Sequence, residues 1–156
     1  MSAKITYRLA NQEDVKQIQR LQTQLNEARE TLFSKQTQKF HARKRASSLI
    51  DLKDLEKDLF IVAINGEDIV GYVWGQLAER PSSVLSRLGY IEEVCVDTSA
   101  RGQGIAKELL ERLAGLAKEK GCDHMTTHTD AENMAAQALY ESFGMTPATV
   151  EFWKEL

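Results

Sequence analysis

The apolar positions of this chain follow two rhythms, a period of two and a period near 3.6. Lys4-Ile-Thr-Tyr-Arg-Leu9 alternates and predicts an opening strand. Asn11 then stands where a helix N-cap belongs, ahead of Asp14, Val15, Ile18, Leu21, Gln22 and Leu25 on a partly apolar face. From Glu30 to Leu59 the pattern is helical and highly charged, with Leu32, Phe33, Phe40, Leu49, Ile50, Leu52 and Leu55 as scattered anchors. It predicts two helices parted near Ser47-Ser48. Leu59–Ile64 and Ile69–Leu77 flank Asn65-Gly66-Glu67-Asp68 and predict a hairpin, with Asn-Gly supplying the positive φ angles of the turn. Trp74 belongs to the packing of its second strand. Arg80–Leu88 reads as a loop bordering whatever site the next strand carries.

Gly89-Tyr-Ile-Glu-Glu-Val-Cys-Val-Asp97 is a β-branched strand that passes through Thr-Ser-Ala-Arg101 into a helix starting near Gly102. Ile105, Leu109, Leu110, Leu113, Leu116 and Ala117 recur on one face of that helix, and Gly121 ends it. Asp123–Thr129 predicts another strand, and Asp130 or Glu132 opens a helix from Asn133 to Phe143 that Gly144 stops. Thr149–Lys154 alternates as a last strand. This order predicts an α/β (α+β) fold, a mixed sheet with covering helices, in a single domain over residues 1–156.

Composition adds limits. Twenty basic residues against 23 acidic ones give a net charge of −3, which offers no general reason to expect nucleic acid. The cluster Arg43-Lys44-Arg45 reads as a solvated helix face. The N-terminus lacks the apolar core of a signal peptide, and no run approaches the roughly 20 apolar residues of a membrane span. Cys95 and Cys122, the two cysteines, read as buried thiols of a reducing compartment, so the expected location is cytoplasmic. His124 and His128 share a strand face near Cys95, but without close ligand spacing they predict no metal site.

The turn after Asp97 carries the chemistry. The first N–H groups of a helix have no internal partner and lie at the positive end of its dipole, so they receive anions. Gly102 and Gly104 let a ligand approach the backbone, and Arg101 adds a planar cation. A Walker loop would need Gly-Lys-Ser/Thr, and a dinucleotide fingerprint would need glycine where Lys107 stands. Neither fits.

Arg101-Gly102-Gln103-Gly104-Ile105-Ala106, read as Arg-x-x-Gly-x-Gly/Ala after a strand bearing Glu92 and Glu93, resembles the acetyl-coenzyme A pyrophosphate loop of the GNAT superfamily of N-acetyltransferases. Asn133-Met-Ala-Ala136-Gln-Ala-Leu139-Tyr140-Glu-Ser-Phe-Gly144-Met145 is similar to the family's Asn-x-x-Ala-x-x-x-Tyr-x-x-x-Gly-Phe helix, with Met145 in place of Phe. The resemblance implies a GNAT-like, mostly antiparallel central sheet, acetyl-coenzyme A as cosubstrate, and transfer of acetyl to a primary amine by direct attack. It also implies that Arg101, Gly102, Gln103, Gly104, Ile105 and Ala106 hold the pyrophosphate. The backbone at Val94, Cys95 and Val96, with Asn133, then holds the pantetheine arm. Many relatives end in two strands where this chain has room after Met145 for one, or for a very tight pair, which leaves a sheet edge for a homodimer partner.

Acetyl transfer requires a neutral nitrogen, and an alkyl ammonium with a pKa of about 10.4 costs about 4 to 5 kcal/mol to neutralise at pH 7. A carboxylate takes that proton directly or through water. Strand alternation sends Glu92 and Glu93 to opposite faces. The resemblance favours Glu92 as the base, with Glu93 in reserve, and gives Tyr140 the role of protonating the leaving thiolate. A Cys95/His nucleophile pair is the alternative on composition alone. The acceptor is left open: a polyamine, an amino acid derivative, an antibiotic or a protein amine. The rival reading is an acyl-coenzyme A-binding regulatory module without turnover, and a nucleotide-binding module is a weaker third.

Overall fold

The computed structural model describes residues 4–44, 49–80 and 84–156. Among these residues five strands form one sheet in the order β1-β2-β3-β4-β5: β1 Thr6–Leu9, β2 Leu59–Asn65, β3 Asp68–Glu79, β4 Arg87–Val96 and β5 His124–Thr126. The first three pairings are antiparallel and β4–β5 is parallel. The helices are α1 Val15–Leu32, α2 Lys35–Lys44, α3 Leu52–Lys57, α4 Ile105–Glu119 and α5 Met134–Ser142.

Each sheet face buries a separate core. On one face α4 lays Ile105, Leu109, Leu110 and Leu113 against Ile61, Ala63, Val73 and Ile91. It comes close because β3 is short of a side chain at Gly75, where an added Cβ would stand 2.9 Å from the Leu113 methyls. On the other face α1 packs Ile18 and Leu21 against Val62, Tyr72 and Cys95.

Local chemistry sets the element ends. Asn11 caps the 3-10 turn that leads into α1, in a reciprocal box with Asp14, and the Asp14 carboxylate takes a two-point grip from Arg8 at 2.6 and 2.9 Å. Asp51 forms a second such box at α3. The hairpin turn is centred on Gly66-Glu67, one residue beyond Asn-Gly, and of the described residues there only Gly66 takes a positive φ, 65°. A glycine at the first central position is what a type II′ turn requires.

Other expectations shift. Helix α1 runs on through Glu30 to Leu32, and the chain breaks at Phe33-Ser34. The break expected near Ser47-Ser48 lies outside the described residues, as do Arg45 and the side chains of Phe40, Arg43, Lys44 and Leu52. Helix α4 starts at Ile105 rather than Gly102. Helix α5 is capped by Asn133, not by Asp130 or Glu132, because the Asn133 Oδ1 accepts the Ala136 N–H at 3.1 Å. The Glu132 carboxylate instead accepts the Ser34 N–H at 2.9 Å. Cys122 is half-buried rather than buried.

The expected strand over Thr149–Lys154 does not form. Alternation makes a strand only where a neighbour takes the backbone hydrogen bonds. This segment runs instead toward α2, where Lys39 Nζ meets Glu155 Oε2 at 3.2 Å. Val150 and Phe152 are left 80% and 91% exposed.

Asp97 closes β4. Its Oδ2 accepts Arg20 Nη1 at 2.8 Å, and its Oδ1 accepts the Ser99 amide at 3.0 Å and hydroxyl at 2.8 Å. The Arg20 guanidinium, then the Ser99 donors, hold its carboxyl down to about 2. A lowered pKa contributes stability above the ordinary value of 3.8 that is lost as pH falls through about 2. Asp97→Ala is expected to cost about 0.5–2 kcal/mol at pH 7 by urea unfolding. The difference from wild type should fade as the pH is taken from 3.8 down through about 2.

Candidate functional site

The site forms where β4 and β5 part. Their parallel pairing covers Leu88↔His124, Gly89↔Met125 and Tyr90↔Thr126. One further tie follows, from the Thr127 hydroxyl to Ile91 O at 2.9 Å. Beyond it β4 continues to Val96 on its β3 side. The backbone of residues 92–96 thus borders a cleft rather than a strand. Parallel strands that diverge in this way offer N–H and C=O groups to an extended ligand.

The parting coincides with a bulge. Trp74 pairs with Glu93 and Gly75 with Ile91, so Glu92 has no partner on β3. An extra residue breaks the alternation of faces. Ile91, Val94 and Val96 pack on the α4 side, whereas Cys95 packs on the α1 side and Glu93 bonds there to Tyr72 and Arg29. Glu92 and Glu93 therefore both turn toward α1, and the expectation of opposite faces is corrected.

Their surroundings nevertheless differ. Glu93 is 8% exposed, and its Oε1 accepts the Tyr72 hydroxyl while its Oε2 meets Arg29 Nη1 at 3.1 Å. Burial, then the Glu93 charge, pushes the Tyr72 phenol well up, so it stays a donor. Glu92 opens to solvent, yet the protein beneath it takes away part of its water. That desolvation, followed by the charges of Asp58 and Glu93, raises its pKa. Asp58 itself is anchored by Trp74 Nε1 at 2.8 Å and Gln76 Nε2 at 3.0 Å. Trp74 stacks on Phe60 with ring centres 5.5 Å apart, the packing role expected of it.

Across the cleft, α5 brings in Tyr140. Burial raises its phenol, which Thr127 and Arg29 partly offset and Glu93 reinforces. Tyr90 lies close enough to Glu92 and Tyr140 for their charges to add to the effect of its own burial, which raises it. The Tyr90 hydroxyl also meets His128 Nδ1 at 3.0 Å. His128 falls past the end of β5, and His124 is turned to Asp123 at 2.6 Å. The pair does not share a strand face as expected.

Cys95 faces the α1 core, its thiol 3.5 Å from Leu21 O, and burial with Glu93 pushes it up to about 12. A thiol at that value is not a nucleophile at neutral pH, which removes the Cys95/His alternative. Only the Cys95 backbone reaches the cleft edge.

At the far end lies the glycine turn. Gly102 and Gly104 take φ of 77° and 76°, with nothing within 4 Å of where a Cβ would stand. Glycine is needed there for its backbone angle, and the space above it stays open. The first bond of α4 is Glu108 N–H to Gly104 O at 3.1 Å. The amides of Ile105, Ala106 and Lys107 therefore precede the helical ladder. Arg101 lies at the surface, with its Nε donating to Val96 O at 3.2 Å, which sets its guanidinium between the cleft and the turn. Cleft and turn together fit an extended ligand ending in phosphates.

Of the sequence-predicted residues, Glu92 and the backbone of Val94 to Val96 border the parting of β4 and β5, Arg101 to Ala106 form the turn, and Tyr140 comes within electrostatic reach of Tyr90 and Glu93. The Glu93 and Cys95 side chains instead face the α1 side, and Asn133 is engaged as the cap of α5. Arg29, Asp58, Tyr72, Tyr90 and Thr127 are functional candidates that the sequence reading missed. Arg29 is 64 positions from its partner Glu93, and the one hint was that a carboxylate among apolar neighbours needs a cation.

Comparison with known proteins bears on the fold and the family. The mycothiol acetyltransferase of Thermobispora bispora is 31% identical over 119 residues, 71% of this chain and 40% of its own length. That of Salinispora tropica is 36% identical over 87 residues, 54% of this chain and 28% of its own. The chain thus spans less than half the length of these relatives. A mutant of the BH1408 protein from Bacillus halodurans superposes with a TM-score of 0.78 at 24% identity, over 97% of this chain and 99% of that one. The aminoglycoside N-acetyltransferase AAC(6')-Iy in complex with CoA superposes with a TM-score of 0.70 at 18% identity, over 98% and 99%. These two likenesses carry the fold. Residues 19–145 match the Acetyltransferase (GNAT) family, and the protein belongs to it.

Proposed function

We propose that this protein is an N-acetyltransferase that moves acetyl from acetyl-coenzyme A to a primary amine by direct attack. The observation that carries the reading is the alignment of the β4–β5 parting, the bulge carboxylate Glu92 and the positive-φ glycine turn along one cleft. The family match and the CoA complex of the aminoglycoside enzyme support the cosubstrate. The acceptor is a small-molecule amine, as the names of the mycothiol and aminoglycoside enzymes suggest for their own substrates, or a protein amine. Glu92 and Asp58 favour a cationic one. The net charge of −3 gives no support to a nucleic-acid partner. Among the described residues no helix is long and apolar enough to cross a membrane. The free thiols of Cys95 and Cys122 support a cytoplasmic location, and we read the described residues as one domain.

Coenzyme A would lie with its pyrophosphate on Arg101 and the amides of Gly102 to Ala106, and its pantetheine arm along Val94 to Val96 and Asn133. Its thioester supplies an activated acyl carbon. Amides at the free edge of β4 polarise the carbonyl. Glu92 takes the ammonium proton, directly or through water, and its raised pKa makes it a stronger base than an ordinary glutamate. The neutral nitrogen bonds to the acyl carbon as the carbon–sulfur bond breaks. Tyr140, which keeps its proton at neutral pH, gives it to the departing thiolate sulfur and is restored by the second proton that the acylated nitrogen releases.

A base must be ionised to act, so the rate should fall as pH drops through the raised Glu92 pKa. Glu92→Gln is expected to lower kcat by about 10²- to 10⁴-fold and to erase that acid limb, read as thiol release against pH over an amine panel. Tyr140→Phe should lower kcat with coenzyme A affinity kept. Arg101→Ala should weaken coenzyme A binding by about 1.5–3 kcal/mol in calorimetry, with ATP as the control ligand.

We also propose a homodimer. The exposed Val150 and Phe152 support it, since neighbouring large apolar side chains are usually covered. Light scattering at micromolar concentration should give twice 17.6 kDa, and a monomer would overturn the proposal.

A further inference from the structure

We propose that Arg29, Glu93 and Tyr72 form a positioning clasp for the transfer reaction, in which Glu93 is held as a fixed anchor and is not the base. The inference rests on the transferase reading above and assigns residues that it leaves idle.

Both carboxylate oxygens of Glu93 are engaged, one by the Tyr72 hydroxyl and the other by Arg29 Nη1 at 3.1 Å. The residue is 8% exposed and Tyr72 is fully buried. A base must offer a lone pair to an amine or a water. Glu93 has turned its own into the protein. A buried carboxylate cannot be left unpaired, so the three groups stand or fall together.

Their location gives the clasp its purpose. Glu93 immediately follows the unpaired bulge residue Glu92. Tyr72 is the β3 residue opposite Cys95, two positions further along β4, and Arg29 comes from the last turn of α1. Three elements therefore converge on the one point where β4 leaves its regular ladder. A bulge left to itself can slide along its strand, because neighbouring positions offer the same backbone geometry. Pinning Glu93 fixes which residue is extra, and so fixes where Glu92 points and which amides of residues 94–96 line the cleft. Arg29 and Glu93 also act electrostatically on Tyr140, which sets the clasp within reach of the cleft's other side.

The test compares Arg29→Met, Arg29→Lys, Tyr72→Phe and Glu93→Gln with wild type, by two measurements on the full chain. The first is amide hydrogen exchange over residues 92–96, with thermal melting as the check on folding. The second is kcat and KM for acetyl-coenzyme A by thiol release. The expected result for Arg29→Met is kcat lowered about 100-fold with KM within about threefold of wild type. Exchange over residues 92–96 should quicken by about tenfold or more, and Arg29→Lys should recover part of both. Tyr72→Phe keeps the Arg29 ion pair, Arg29→Lys keeps a cation beside the Tyr72 hydroxyl, and these two carry the test if Arg29→Met does not fold.

Folded variants with kcat within about twofold of wild type and unchanged exchange would overturn the clasp. So would a Glu93→Gln variant that loses the acid limb of the pH profile while Glu92→Gln keeps it, since Glu93 would then be the base. A wild-type protein that releases no thiol with any amine would sink the transferase reading instead, and hydrogen exchange would still decide the clasp.

Discussion

A strand keeps successive side chains on opposite faces, and β4 departs from that rule once, between Ile91 and Glu93. The cleft depends on this departure. A regular strand would alternate Glu92 and Glu93 across the sheet and send one of them into the α4 core, among Leu109, Leu110 and Leu113. The extra residue keeps both carboxylates on the α1 side, where one meets an arginine and the other meets solvent. It also lies just past the last backbone pairing of β4 with β5, so the strand bends away from its parallel neighbour where the opening is needed.

Two glutamates adjacent in sequence thus acquire different chemistry from their surroundings alone. Glu93 is enclosed and fully paired. Glu92 loses part of its water to the protein beneath it and is crowded by two other acids, which leaves it readier to accept a proton. Asp58 adds to that crowding while it holds Trp74 and Gln76, so a residue at the end of α3 helps set the basicity of one on β4. In the proposed reaction the same field of negative charge would draw an ammonium group inward before its proton is removed.

The sequence made the order of the elements from β1 to α5 legible, because periodicity reports which face is buried. The pyrophosphate-type turn was legible too, since Gly102 and Gly104 serve a backbone angle that other residues rarely adopt. The bulge was not. Its only local trace is that Glu92 and Glu93 interrupt an apolar run, and nothing in that run says which residue is extra. Arg29 could not be read either, as its partner lies 64 positions away and the charged helix around it looks uniformly solvated. The final strand was overread: Thr149–Lys154 has the alternation of a strand, but pairing requires a neighbour that the pattern does not supply.

Helix α1 holds β4 and the residue that closes it with two arginines, Arg29 on Glu93 and Arg20 on Asp97. Nine residues of helix at about 1.5 Å each span about 13.5 Å, and four residues of strand at about 3.3 Å each span about 13 Å. The two spacings match, so the helix lies along the strand like a splint fastened at both ends. A single residue inserted into α1 between the fastenings would shift one arginine by about 1.5 Å and turn it by about 100°, beyond what both carboxylates could follow. The length of α1 between Arg20 and Arg29 is therefore constrained by the strand beneath it.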